Sequence, residues 1–518
     1  MRTAIKRTRA KSRDKTFDAP VGGWLQSRNK GKVSPETATI LDNWFPEIDG
    51  IRVRAGTTRF ANIGEPVESM FSYESGNVNK IFAASTGSIF DISAPADTET
   101  PVAASVTGQT NGEYSAAIMS TAGGVFLTVV NGANDRQVYD GANWNTTPAI
   151  TGVATSDLSN VWAYRNRLFF VQKDSLKAWF LPVESIGGAA QEISLAGVFT
   201  KGGSILFGAT WSLDAGDGID DLCVFVSTKG EVAVYQGNNP ADPNVWALSG
   251  VYEVGPPLGP KAFLRVGGDL LIATEDGLVP MSSAVQKNRE TLSLTALSIS
   301  IEKAWRAEIG RRHGSWSITK WPAKNMAIVS FKSISGAVTY QFVVNLRTSA
   351  WARYTGWDVR ATALFDDNLL YGREDGRIMF AERGGSDDGE VYVSRYVGDY
   401  DHLRAPARTK VGKMAQGVFI SNQPFNPKIG IATDFKDQTL GGLTIAQSSP
   451  TTVWDAAIWD VATWDGASSK EITTKWVSAI GNGQYVAPVV EVAFSETAEP
   501  SIQLVATSVL YEVGRRAA

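Results

Sequence analysis

The feature that most constrains this chain is a hairpin that recurs between about residues 68 and 385. Each copy is an apolar run, a tight turn and a second apolar run. The copies are KIFAASTGSIFDI at 80–92, VFLTVVNGANDRQVYDG at 125–141, RLFFVQKDSLKAWFLPV at 167–183, LCVFVSTKGEVAVYQG at 222–237, DLLIATEDGLVPMSS at 269–283, AIVSFKSISGAVTYQFVVNL at 327–346 and NLLYGREDGRIMFAERG at 368–384. Their turns fall near 87, 132, 174, 230, 277, 336 and 376, a mean period of about 48 residues, close to one four-stranded propeller blade. A single blade cannot bury both faces, so blades stack radially around an axis. The pattern predicts a mainly β chain with a β-propeller-like body of six or seven blades. Uneven intervals leave an irregular set of sheets or a solenoid as the alternative. Glu-Asp-Gly recurs at 275–277 and 374–376, which predicts positive φ at Gly277 and Gly376, where glycine carries no steric cost.

Around this body the chain divides into a basic arm (1–16), a lead-in segment (17–67) and a β-rich domain (386–518) that reads as sandwich-like. At 518 residues, two or three domains are expected. Fifty glycines and an aromatic content of 10% suit many short strands and tight turns. No run of about 18 apolar residues predicts a membrane span, and the basic N-terminus lacks the apolar stretch of a secretory signal. The arm carries Arg2, Lys6, Arg7, Arg9, Lys11, Arg13 and Lys15 against Asp14. It is about +6, leaving the rest of the chain near −10. Such an arm is either solvated and disordered, or orders against an acidic partner or a nucleic acid.

In the lead-in segment, Ser34, Pro35 and Glu36 predict a short helix over about 35–44. Pro46 ends it, residues 47–50 turn, and a strand follows through Ile51 and Val53. Trp44 and Phe45 are the expected anchors. A second helical pattern, Leu297, Ile301, Ala304, Trp305 and Ile309, predicts an insertion near 293–312, for packing on the body or for a subunit contact. In VWDAAIWDVATWDG, Trp454, Trp459 and Trp464 stand at steps of five, which fits neither one helical nor one strand face. The expectation is an irregular ribbon with its indoles at a subunit boundary.

The chemistry-bearing inventory is thin. With one Cys and two His, His313 and His402, His/Cys metal sites and disulfides are disfavoured. Cys223 lies in an apolar strand and reads as a structural thiol. The acidic loop DAGDGIDD (214–221) lacks EF-hand spacing and reads as a solvated turn. There is no nucleophile elbow, no phosphate-binding loop and no S-x-D-x-G-x-T-W box. Neither a catalytic residue nor a cofactor is expected.

SPETATILDNWFPEIDGIRVRAGT (34–57), the run GEVAVYQGNNPADPNVWALSGVYEVGPPLGPKAFLRVGGDLLIATEDGLVPMSSA (230–284), VWDAAIWDVATWDG and the closing VLYEVG together resemble the tail nozzle proteins of short-tailed bacteriophages. These are the tail tubular protein B or packaged-DNA-stabilisation type. The likeness runs over roughly 17–514 and rests on pattern and order, since these motifs are not catalytic signatures. It implies a virion protein, made in the host bacterial cytoplasm, that forms a hexameric ring below the head-to-tail adaptor. It further implies a tip formed by the C-terminal domain, attachment of tail fibres or spikes, and transient contact with phage DNA in the channel. The basic arm would dock on the adaptor. A net acidic body suits a conduit that DNA must pass without sticking. The alternatives are a glycan-binding or glycan-cleaving propeller, and a tail-fibre adaptor without a channel.

Overall fold

The computed structural model describes residues 12–26, 36–76, 78–214, 219–311, 316–332, 339–422, 425–436, 440–441, 470–495 and 498–516. The chain forms two compact units, one of residues 59–341 with 357–381, the other of 1–58, 342–356 and 382–518.

The first unit is a seven-bladed β-propeller. Blade 1 is Ser69–Ser75, Val78–Ala84, Ile89–Asp91 and Ala104–Val106. Blade 2 is Ser115–Thr121, Gly124–Val130, Gln137–Tyr139 and Trp144–Asn145; blade 3 is Leu158–Tyr164, Arg167–Gln172, Lys177–Phe180 and Gln191–Ser194. Blade 4 is Ile205–Asp214, Ile219–Ser227, Glu231–Gln236 and Ala247–Glu253. Blade 5 has three strands, Phe263–Val266, Asp269–Thr274 and Gly277–Pro280. Blade 6 opens with Trp316–Trp321 and Met326–Phe331 and runs into Tyr340–Asn345, where the chain leaves the unit. Blade 7, Ala361–Phe365, Asn368–Gly372 and Arg377–Phe380, takes its outermost strand, Thr58–Asn62, from ahead of blade 1. The ring is thus closed by hydrogen bonds between distant parts of the chain.

The repeated hairpin of the sequence has one place in this ring: each copy spans the second and third strands of a blade, the turn of the sixth (333–338) lying outside the described residues. Those two strands are the most apolar because neighbouring sheets cover both faces. Buried clusters lie between successive blades. Phe71 and Phe82 of blade 1 meet Leu127 and Tyr139 of blade 2, Phe169 of blade 3 meets Phe225 of blade 4, and Ala363 and Leu370 of blade 7 meet Ile81 and Phe90 of blade 1. Gly277 and Gly376 have φ of 121° and 85°. A Cβ at Gly376 would lie 2.7 Å from the Glu65 nitrogen, and one at Gly277 2.6 Å from Ser298 Oγ. Gly376→Val is therefore expected to cost about 1–3 kcal/mol from the backbone conformation, with the clash added, read as a lowered midpoint in denaturant unfolding.

The predicted helical insertion is present and longer than expected: Met281–Gln286, Arg289–Leu292 and Glu302–Arg311 are helical. Met281, Ala284 and Leu292 pack onto blade 5. Leu297 donates to the Leu278 carbonyl at 2.9 Å and Ser298 Oγ accepts from the Leu278 N–H at 3.0 Å. The insertion thus satisfies the edge that a fourth strand would have covered.

The second unit holds two sheets. In one, Ile502–Arg516 pairs with Arg408–Ser421, Ile51–Val53 and Ser12–Asp18. Within this unit the other runs Trp351–Thr355, Ala38–Asp42, Tyr392–Gly398, Val486–Phe494 and Lys428–Thr433. The β-rich domain expected from 386 onward is therefore completed by strands from both the N-terminus and the middle of the chain.

Two expectations are corrected here. No helix covers the described part of 35–44: Ala38–Asp42 and Trp44–Pro46 are strands, and Glu36 has φ of 68°. Local capping signals lost to β-branched Thr37, Thr39 and Ile40, which fit a pleated surface, and to the sheet partner at Tyr396 and Val397. The basic arm is also not wholly a solvated extension. Arg13 and Lys15 sit in Ser12–Asp18, antiparallel to Glu512–Ala506, because Ile502–Arg516 offers an open edge of unpaired backbone groups. Arg2, Lys6, Arg7, Arg9 and Lys11 lie outside the described residues, as do Trp454, Trp459, Trp464, His313 and residues 215–218 of the acidic loop.

Candidate functional site

The lead-in signature forms a buried lock in the second unit. Trp44–Pro46 pairs with Ile51–Val53, and Trp44 and Phe45 are both buried. Ile51 and Val53 face the core, which puts Arg52 and Arg54 on the opposite side of the strand. The segment after Glu382 covers that side. Arg52 reaches Glu382 at 2.8 Å and Glu47 at 2.9 Å, with its guanidinium 4.9 Å from the Phe45 ring. Arg54, fully buried, contacts both Asp387 carboxylate oxygens, at 2.8 and 2.6 Å. It also donates to Asn43 Oδ1 and to the carbonyls of Ala55 and Thr355, and lies 4.1 Å from the Tyr392 ring. Burial disfavours the charged guanidinium, but Asp387 more than offsets this, so the Arg54 pKa is raised. Gly56 permits the closing contact, since a Cβ there would sit 2.0 Å from the Ser386 oxygen. The distinctive residues of IRVRAGT are occupied in packing or ion pairing.

The propeller surrounds an open cavity of about 920 Å³ on its axis, lined by residues of all seven blades. It stays open because the lining strands carry small residues there: Ala116, Ala163, Gly208, Ala209, Ala361 and Ala363 among them. Asn160 ties three blades together at its wall. Its amide donates to Ser115 Oγ of blade 2 at 3.1 Å, and its Oδ1 accepts from the Gly208 N–H of blade 4 at 3.1 Å. At Gly208 the Trp162 indole lies so close that a Cβ would fall 2.2 Å from it. Six charged side chains line the cavity: Glu68, Glu113, Lys261, Arg265, Lys332 and Arg360. Lys332 pairs with Glu113, and Arg360 with Glu374. Lys261 is partly buried at the cavity wall, and this desolvation pushes its pKa down to about 8. Sequence patterns missed this site, because it is assembled from single residues of strands spaced tens of residues apart.

The remaining chemical candidates do not assemble. Cys223 is fully buried, and burial raises its thiol pKa. His402 is partly exposed beside Asp401, 3.6 Å away. Among the described residues, no group of three or more His, Cys, Asp or Glu side chains is placed to hold a metal ion, and no helix is long and apolar enough to cross a membrane.

No protein-family profile and no curated protein matches this chain. Among solved structures, it is similar to the computationally designed Ika8 protein at 13% identity and a TM-score of 0.35, over 67% of this chain and 96% of that one. The WD40 β-propeller domain of Doa1 is similar at 9% identity and a TM-score of 0.36, over 63% and 97%. The β-propeller domain of Cps50 (Swd1) from Myceliophteria thermophila matches at 10% identity and a TM-score of 0.38, over 63% and 99%. The blade count and ring closure given above rest on the strand pairing of this chain itself.

Proposed function

We propose that this chain is a structural virion protein, the ring-forming tail nozzle of a short-tailed bacteriophage. In this reading it extends the DNA-exit channel below the head-to-tail adaptor and offers attachment to tail fibres or spikes. The observation that carries the reading is the ordered likeness of 34–57, 230–284 and the C-terminal runs to that family. Its supporting physical argument is the use of the lead-in signature: Trp44, Phe45, Arg52, Arg54 and Gly56 build a lock rather than an active site.

The channel for DNA would lie on the axis of the assembled ring and not on that of the propeller. The propeller cavity, at about 920 Å³, is of small-molecule size. The cations of residues 2–11 would dock on the adaptor, with Ser12–Asp18 fixing the root of that arm on the second unit. Mixing the purified chain with adaptor rings should give a co-sedimenting complex. Deleting residues 2–11 should weaken it while leaving the thermal midpoint unchanged. A chain that never sediments with adaptor rings, or that depolymerises host polysaccharide on its own, would overturn the proposal.

A further inference from the structure

The cavity on the propeller axis is more than a packing defect. Its wall at blade 5 carries Lys261, Phe263 and Arg265, spaced two residues apart and so on one face of the chain. Phe263 stacks on Phe207 with ring centroids 4.5 Å apart, which fixes the wall between the two cations. At about 3.3 Å per residue the backbones of Lys261 and Arg265 are roughly 13 Å apart. Lys261 is held in place through its backbone, whose carbonyl accepts from Ile318 N–H at 3.0 Å.

The charges of this wall are unbalanced. Of the four cations lining the cavity, Lys332 and Arg360 have carboxylate partners, while neither Lys261 nor Arg265 has one among the described residues. The two lining acids are already engaged. Glu113 holds Lys332, and Glu68 accepts from the Gly112 N–H at 3.0 Å and from Thr86 Oγ1 at 3.2 Å. Lys261 is partly buried and Arg265 is exposed at the cavity, and a partly desolvated cation such as Lys261 without a counter-charge is costly. The same cavity supplies hydroxyls from Ser72, Ser115, Thr210, Ser317 and Thr319. Its volume lies within the range of small-molecule sites.

We infer that the propeller cavity binds a small polyanion bearing phosphate or carboxylate groups, with Lys261 and Arg265 as its counter-charges. This does not depend on the chain being a tail protein, and the site would be complete in a single subunit.

The depressed Lys261 pKa gives the binding a pH signature. The ammonium is charged below about 8 and is lost as the pH rises through it. The other charged groups facing the cavity are Glu68, Glu113, Arg265, Lys332 and Arg360, and burial lowers the Lys332 pKa as well. In the unliganded protein the sign is reversed. A lysine whose folded pKa lies below its unfolded value makes stability rise with pH between the two.

The test is isothermal titration of the full chain with inorganic phosphate and with citrate at pH 7 and pH 9.5. Saturable binding of at least one probe at one site per chain is expected at pH 7, weakened at least tenfold at pH 9.5. Lys261→Met should weaken it at least tenfold at pH 7, and the exposed-residue control Lys287→Met should leave it unchanged. Lys261→Met removes a charge without a carboxylate partner and should fold; if it does not, Arg265→Met carries the same comparison. Phosphate binding alone would mark a phosphate ligand, and citrate binding alone a carboxylate ligand. Saturable binding of neither probe, or binding unaffected by the Lys261 and Arg265 substitutions, would overturn the inference.

Discussion

Asp387→Ala is expected to destabilise the second unit by about 3–5 kcal/mol, because it leaves the fully buried Arg54 charge without its counter-ion. The other acceptors on Arg54 include Asn43 Oδ1 and the backbone carbonyls of Ala55 and Thr355, which carry no charge. The double variant Arg54→Met with Asp387→Ala should recover part of that loss, since removing both charges removes the desolvation penalty as well. Denaturant unfolding of the wild type, both single variants and the double variant gives the coupling directly. If Asp387→Ala changes stability by less than 1 kcal/mol, the lock is not what holds the lead-in segment.

The other large effect is expected at the propeller axis. Trp162 is 8% exposed, lies 5.4 Å from Phe169 and 5.6 Å from Phe225, and covers Gly208 of the next blade. Trp162→Ala should cost about 3–5 kcal/mol through the cavity it leaves. Gly208→Ala should cost about 1–3 kcal/mol by forcing the indole aside. Because the two residues touch, the effects should not add: the alanine at 208 loses its clash once the indole is gone. Additive losses in the double variant would show that Trp162 does not pack on Gly208.

The blades were legible because their information is local. The second and third strands of each blade are apolar over several residues and are joined by a turn whose residues state its geometry, as Asp276-Gly277 and Asp375-Gly376 do. Ring closure was not legible, because Thr58–Asn62 pairs beside Arg377–Phe380, and no local pattern ties a strand to a partner more than 300 residues away. The same limit explains the lead-in segment. Ser34, Pro35 and Glu36 carry a helix-start signal, but Ala38–Asp42 became a strand because Tyr392–Gly398 was available to pair with it. Arg52 and Arg54 could be read as interruptions of an apolar alternation. That both meet carboxylates, at Glu382 and Asp387, depends on a segment from the far side of the propeller sequence. Lys261 gave no signal of its own, since a lone lysine before a short strand is ordinarily a solvated one.

A chain that works as one subunit of a closed tail ring should build that ring on its adaptor. Electron microscopy of the purified chain bound to head-to-tail adaptor rings, with native mass measurement of the same complex, tests it most directly. A sixfold ring stacked coaxially on the adaptor is expected, with an open central channel wide enough for duplex DNA and six copies of the chain per ring. A chain that remains monomeric with adaptor rings present, or that binds them only as isolated copies at the periphery with no channel between them, would contradict it.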